Sequence, residues 1–479
     1  PPAAATPPPA AAPPRLLLDL PLDVLALVLS PLPPNELANL GRVSRAFHRG
    51  PPPQQPPPPA VELALRLRAE ERGEALPAHL PPGERSWLQH LLALEELGDG
   101  SGALDGGAFF SCFVSPEGEL LTCGDDHAGL LEVDGAERPS GLLGQGGGEP
   151  QVWVPTPVKP LQGACVHAVA CGEQHTLALT AAGAVYSFGG GRRGALGHGG
   201  TSDVLSPRRI DGLASVRAAS VAAGAYHSLV VSRDGGLFTF GADEHGQLGR
   251  GEDAGGGRPD GSSAGSGAAR RLTPARVALA GGLAGGKVAS AAGGRSHSLA
   301  VLRGGRLLAF GCGEAGRLGL GDQRDRTTPS SVPLGEAVAM AAAGGAHSLA
   351  TTAGGRVYAF GDGRQGQLGV EPPGHATAMS ATGHRCCVLP AWVEALAAIS
   401  PRAVACGGDF SLVVAHDGSL YSFGANSFGQ LGLGCAPDQR APCRVEALRH
   451  VAIATAAAGA GHCLAAGWPR EKAAEAAAA

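Results

Sequence analysis

Gly172-Glu173-Gln174-His175-Thr176-Leu177-Ala178-Leu179, then Gly183-Ala184-Val185-Tyr186-Ser187-Phe188-Gly189, then Gly194-Ala195-Leu196-Gly197, is one copy of a template that recurs along the chain. The register returns at Gly224, His227, Gly241 and Gly246, at Gly294, His297, Gly311 and Gly316, and at Gly344, His347, Gly361 and Gly366. A further copy has Gly407, Gly424 and Gly429, with Phe410 in the histidine position. The first copy is degenerate, with Gly107, Phe110, Gly124 and Gly129, and the last stops after Gly459 and His462. In every complete copy the His or Phe stands fourteen residues before the glycine that ends the second strand, whereas the copies start 50 to 70 residues apart.

Each copy reads as two short strands joined by a glycine-containing hairpin, as in Ser228-Leu229-Val230-Val231, Asp234-Gly235-Gly236 and Leu237-Phe238-Thr239-Phe240. Fixed strands with loops of variable length are the pattern of blades around an axis. Leu and Val at alternate positions bury the faces between blades, and glycine at strand ends lets chains crowd the axis or adopt positive φ. The composition agrees: 76 Gly and 39 Pro among 479 residues demand many turns, no collagen period is present, and 44% hydrophobic against 16% charged residues excludes wholesale disorder. A net charge of -5 leaves no overall footprint for nucleic acid or an anionic membrane. Eleven cysteines without a CxxC pair indicate neither a disulfide framework nor a structural zinc site, and favour a reducing compartment. The apolar stretch Leu16 to Leu32 is too broken by Asp19, Pro21, Asp23 and Pro31 to span a bilayer.

Ahead of the repeats, Asp19 and Pro21 suit a helix start, and Val24, Leu25, Val28 and Leu29 form one apolar face. Pro33-Pro34 breaks that helix, Asn35 caps the next, and Leu37, Leu40, Val43 and Phe47 continue the face. The order of Leu20-Pro21, Leu32-Pro33-Pro34 and Val43-Ser44-Arg45-Ala46-Phe47 resembles the F-box family. That resemblance implies docking onto a Skp-type adaptor of a cullin complex through Leu20, Pro21, Val24, Leu25, Val28, Leu29, Leu32, Leu37, Val43 and Phe47.

From Gly107 to Gly467 the Gly-x-x-His-Ser-Leu, Gly-x-Leu-Tyr-x-Phe-Gly and Gly-Gln-Leu-Gly elements resemble the regulator of chromosome condensation (RCC) family, which implies a seven-bladed β-propeller. Six copies and half of a seventh are visible. The expected fold is therefore mainly β, a six- to seven-bladed β-propeller of RCC type preceded by a small α-helical F-box module. The domains run as a disordered Pro/Ala lead-in at 1–14, the F-box-like module at 15–50, a Pro-rich linker at 51–60, bridging helices at 61–98, the propeller at 104–467 and an Ala-rich tail at 468–479.

His175, His227, His297, His347 and His462 are spread one per copy, and Phe110 and Phe410 replace them elsewhere, so they read as packed strand histidines rather than a metal ring. They join Gly172, Gly189, Gly224, Gly241, Gly294, Gly311, Gly344, Gly361, Gly407, Gly424 and Gly459 as structural repeat residues. Cys171 and Cys406 read as small packing residues. His375, His384, Cys386 and Cys387 fall in an insertion between Val370 and Pro390 that reads as an exposed loop with adjacent thiols, and Arg250 to Thr273 reads as a flexible loop. No catalytic constellation, cofactor-binding motif or metal-ligating set stands out.

The two resemblances together imply a non-enzymatic substrate receptor of a Skp/cullin/F-box ubiquitin ligase, with an unidentified target protein on the propeller and ubiquitin transfer left to partner subunits. Nucleotide exchange on a Ran-like small GTPase is the alternative implied by the RCC resemblance. A light sensor of the ultraviolet-B type is weaker, because Trp87, Trp153, Trp392 and Trp468 fall outside the repeated motifs. The expected localisation is cytoplasmic, nuclear or both, with no nucleic acid or membrane partner.

Overall fold

The computed structural model describes residues 104–115, 117–126, 141–146, 151–251, 271–371, 373–381, 383–435 and 437–470, all within the unit Asp99–Ala479. The F-box-like segment, the linker and the bridging helices lie outside the described residues, as do Gly129, most of the 250–273 insertion and the tail from 471.

The second blade shows how the template folds. Its strands Val166–Cys171, His175–Thr180, Val185–Gly189 and Val204–Arg209 pair antiparallel in sequence order, from the axis outward. The motif thus marks only the two middle strands of a four-stranded sheet. The inner strand is small and mixed, Val166-His167-Ala168-Val169-Ala170-Cys171, and the outer strand is polar and half-exposed, so neither carries a strong alternating pattern. Six such blades are complete, the fifth gaining an extra strand, Thr377–Met379. A two-stranded seventh sheet, Val451–Ala458 with Cys463–Pro469, follows them.

Backbone hydrogen bonds between sheets close the ring around the axis. The amide of Ala108 donates to Glu173 O, Glu173 to Ala225 O, Ala225 to Gly294 O, Arg295 to Gly344 O, Gly345 to Gly407 O, Gly408 to Ala460 O, and Ala460 back to Gly107 O. The seventh sheet therefore sits between the sixth and first blades, and among the described residues it has two strands.

Packing between blades follows from the middle strands, whose six residues are all buried in His175–Thr180, His227–Ser232, His297–Leu302, His347–Thr352 and Phe410–Ala415. Phe188, Phe240, Phe310, Phe360 and Phe423 are completely buried on the neighbouring strands, each contributing about 1.5–3 kcal/mol of apolar burial. Phe240 packs with Leu177 and Leu179 of the preceding blade. In the second to fifth blades the second glycine of the Gly-x-Leu-Gly element lies on the next blade's phenylalanine: an added Cβ at Gly197 would stand 2.9 Å from the Phe240 ring, and one at Gly249 would stand 2.8 Å from Phe310.

Two sequence expectations are corrected here. In the first blade, where Gly129 lies outside the described residues, Gly141-Leu142-Leu143-Gly144 fills the role of this element, with Gly144 against Phe188 and Thr122 Oγ1 donating to Leu143 O at 2.8 Å. Its position twelve residues downstream of Gly129 hid it from the fixed spacing. The insertion after Val370 is not an exposed thiol loop. Cys386 and Cys387 are buried in the strand Arg385–Trp392, paired on both sides, while His375 and His384 are exposed. The strand alternative was masked by the glycines and polar residues preceding it.

Candidate functional site: the axial mouth

The Gly-x-x-His turns, joined by Glu314, Ala315 and Arg317 of the fourth blade, line a cavity of about 450 Å³ at one end of the propeller. The walls are largely glycine and alanine because the inner strands converge there. Gly172, Gly224, Gly294, Gly344 and Gly459 each lie under the imidazole three residues on; a Cβ at Gly172 would fall 2.3 Å from His175 Cε1.

Those histidines knit adjacent blades. His175 Nε2 lies 2.9 Å from Ser228 Oγ, and the same 2.9 Å links His227 to Ser298, His297 to Ser348 and His347 to Ser411. His462 reaches Ser111 at 3.1 Å across the closing interface. Each of the serines Ser228, Ser298, Ser348 and Ser411 donates its proton at 2.8 Å to a carbonyl of the preceding blade, at Ala195, Gln247, Arg317 and Gln367. A hydroxyl that has donated its only proton must accept from the imidazole, so Nε2 carries the hydrogen. Burial pushes His175 and His347 down to about 4 and His227 to about 3, and these rings are neutral. Where a blade carries Phe110 or Phe410 instead, the next blade has Thr176 or Cys463 in place of serine. The interior position of these histidines suits architecture and leaves the mouth's chemistry to its rim.

Three ion pairs edge that rim. Arg295 Nε lies 3.7 Å from Glu173, Arg317 lies 3.6 Å from Glu314, and Arg364 lies 2.7 Å from Asp362. Asp409 lines the same opening, with its carboxyl raised first by burial and then by Asp362. Arg295 is well exposed and Arg317 nearly buried. Deeper, Asp105 accepts from Cys171 N at 2.7 Å and Gly106 N at 2.8 Å, and burial pushes its carboxyl up to about 7. Phe109 and Phe428 belong to the same end of the ring, on the blades flanking the seventh sheet, and are 64% and 85% exposed. The sequence reading singled out none of these rim residues except by position. Phe428 was detectable as the residue standing where sister copies carry Arg193, His245, Ala315 and Gln365.

The family model described as RCC1-like domain matches residues 99–465. The chain belongs to the RCC1-like domain family. An F-box-like model matches residues 17–49, so an F-box-like domain precedes the RCC1-like propeller. The ultraviolet-B receptor UVR8 of Arabidopsis thaliana is 32% identical over 68% of this chain and 57% of its own length. The probable E3 ubiquitin-protein ligase HERC6 of Homo sapiens is 31% identical over 68% of this chain and 24% of its own. The chain thus spans less than two thirds of these relatives. Among solved structures, Prp20p of Saccharomyces cerevisiae, reported with its binding properties to Gsp1p and histones, shares the fold at a TM-score of 0.63 and 22% identity, covering 78% of this chain and 85% of that one.

Among the described residues the seventh sheet has two strands and the fifth has five, where the other blades have four. Among the described residues no helix is long and apolar enough to cross a membrane, and all eleven cysteines are free. Cys406 is pushed up to about 12 by burial, and Cys171 also rises through burial, as packed thiols do. The residues from Leu20 to Phe47 for which the F-box resemblance implies adaptor docking lie outside the described residues.

Proposed function

We propose that the chain is the substrate-recognition subunit of a Skp/cullin/F-box ubiquitin ligase: the F-box-like residues dock the adaptor, and the axial mouth holds the target protein. The observation that carries this reading is the F-box-like match at 17–49 in the same chain as the RCC1-like propeller. The rim supports it, because exposed aromatics beside paired charges of both signs suit a protein surface of complementary charge. Ubiquitin transfer is then the work of partner subunits. Pull-down with a Skp-type adaptor tests the docking half: wild type recovers it, and a Leu20→Ala, Pro21→Ala, Leu25→Ala variant does not. Equal recovery of both, or of neither, overturns the reading.

Nucleotide exchange on a Ran-like GTPase is the second reading, favoured by the shared fold with Prp20p, whose structure is reported with Gsp1p binding. Accelerated nucleotide release by the wild-type chain, without adaptor recovery, would establish it instead. For a sensor of the UVR8 kind, clustered tryptophans would be needed, and Trp153 and Trp392 stand on the separate first and fifth blades.

A further inference from the structure

Between the third and fourth blades, three donor atoms of unlike chemistry converge. His245, Cys312 and Asp325 each present one ligand atom, all within 4.8 Å of one another. His245 Nδ1 lies 2.8 Å from Asp325 Oδ2, and both side chains are 44% exposed, whereas Cys312 is buried.

The repeat template requires the carboxylate but not the other two. Asp203, Asp325 and Asp438 do one common job, their Oδ1 atoms accepting the amides of Gly191, Gly313 and Asn426 at 2.8, 2.8 and 2.9 Å. This bond fixes Asp325 and leaves Oδ2 for another partner. Sister copies carry Gly190, Ala242, Asp362 and Ala425 where the fourth has Cys312, and Arg193, Ala315, Gln365 and Phe428 where the third has His245. The loop holding His245 is itself fixed, since its amide donates to Gln247 Oε1 at 2.9 Å, as Gln365 and Phe428 donate to Gln367 and Gln430. Template geometry therefore places two non-template ligand side chains on a preset carboxylate.

We propose that His245, Cys312 and Asp325 form an inter-blade site for a divalent transition metal of the zinc type, with one coordination position left for water or a donor from a bound protein. Thiolate, imidazole and carboxylate suit zinc, whereas calcium and magnesium prefer all-oxygen sets. Thiolate and carboxylate together neutralise the dication; the thiol releases its proton to solvent on binding, and the neutral imidazole offers the Nδ1 lone pair with its hydrogen on Nε2. Bonds of about 2.0–2.1 Å at a tetrahedral angle separate N and O ligands by about 3.3 Å, so the His245–Asp325 contact opens by roughly half an ångström. Spacings of 67 and 80 residues place the three outside any short ligand motif, which is why the sequence reading found no metal set.

The test is titration of the metal-free full chain with Co2+ and Zn2+. One equivalent of Co2+ produces thiolate-to-cobalt charge-transfer absorption, and Zn2+ displaces it and raises the melting temperature. Cys312→Ala abolishes the absorption, and His245→Gln weakens binding at least about tenfold. Both substitutions install residues that sister blades carry there, Ala242 or Ala425 and Gln365, and thermal melts of the metal-free variants check that they fold. Absence of the absorption in wild type, or its persistence in Cys312→Ala, overturns the site; unchanged affinity in His245→Gln does so even if the cysteine variant fails to fold.

Discussion

Ser298 has one proton, and the Gln247 carbonyl takes it, so the His227 ring can bond Ser298 only as a donor. Replacing His227 alone with Phe leaves the buried Ser298 hydroxyl without that donor and costs about 1–3 kcal/mol. Adding Ser298→Cys recreates the pairing of Phe410 with Cys463, and part of the loss is regained; denaturant midpoints in a double-mutant cycle measure the coupling. The same ring sets a pH dependence. His227 titrates near 3 in the folded chain and near 6.5 when unfolded, so the unfolded state binds more protons between those values and stability falls as pH falls through that window. His175 and His347 act in the same direction down to about 4. The double variant loses stability less steeply below pH 6.5 than wild type, and melting temperatures across that range check it.

At the level of the hairpin, glycine divides into required and incidental positions. Gly361 ends a middle strand at φ 110°, where an added Cβ would stand 2.5 Å from Ala346 O and 2.6 Å from His347 Cα. Gly361→Ala therefore costs at least about 1–3 kcal/mol, with the steric clash adding to the backbone strain. Gly200 lies in a loop with nothing within 4 Å of its added Cβ, and Gly200→Ala stays within about 0.5 kcal/mol of wild type. Urea unfolding of the pair distinguishes strand-end geometry from a general dependence on glycine content.

The ring as a whole depends on its shortest sheet. Deleting residues 451–479 removes Ala460 N→Gly107 O, Gly408 N→Ala460 O and the His462–Ser111 contact, leaving the first and sixth blades without their shared neighbour. That truncation lowers the melting temperature by more than 10 °C or abolishes cooperative unfolding, and thermal melts check it. On the axial face, Arg295→Glu with Phe428→Ala weakens capture of a target protein at least about tenfold while adaptor recovery stays intact. Comparing eluates from wild-type and variant affinity purifications reads both at once.

The sequence by itself determined the propeller, because a His or Phe fourteen residues before a glycine repeats in every full copy and only a radial stack of hairpins satisfies that spacing with such unequal loops. It also marked the positions of the repeat histidines and strand-end glycines, although the serines that the histidines bond stand on the next blade, 51 to 71 residues away. The inner and outer strands were less legible, since small or polar residues pair there through backbone groups that leave no side-chain period. Tertiary structure alone decided how a two-stranded sheet closes the ring, why Phe110 and Phe410 go with Thr176 and Cys463, and which charged and aromatic residues share the mouth. It alone brought His245 to Cys312 and Asp325. Those pairings lie between blades, and the angular position of each blade is fixed by packing around a common axis rather than by distance along the chain.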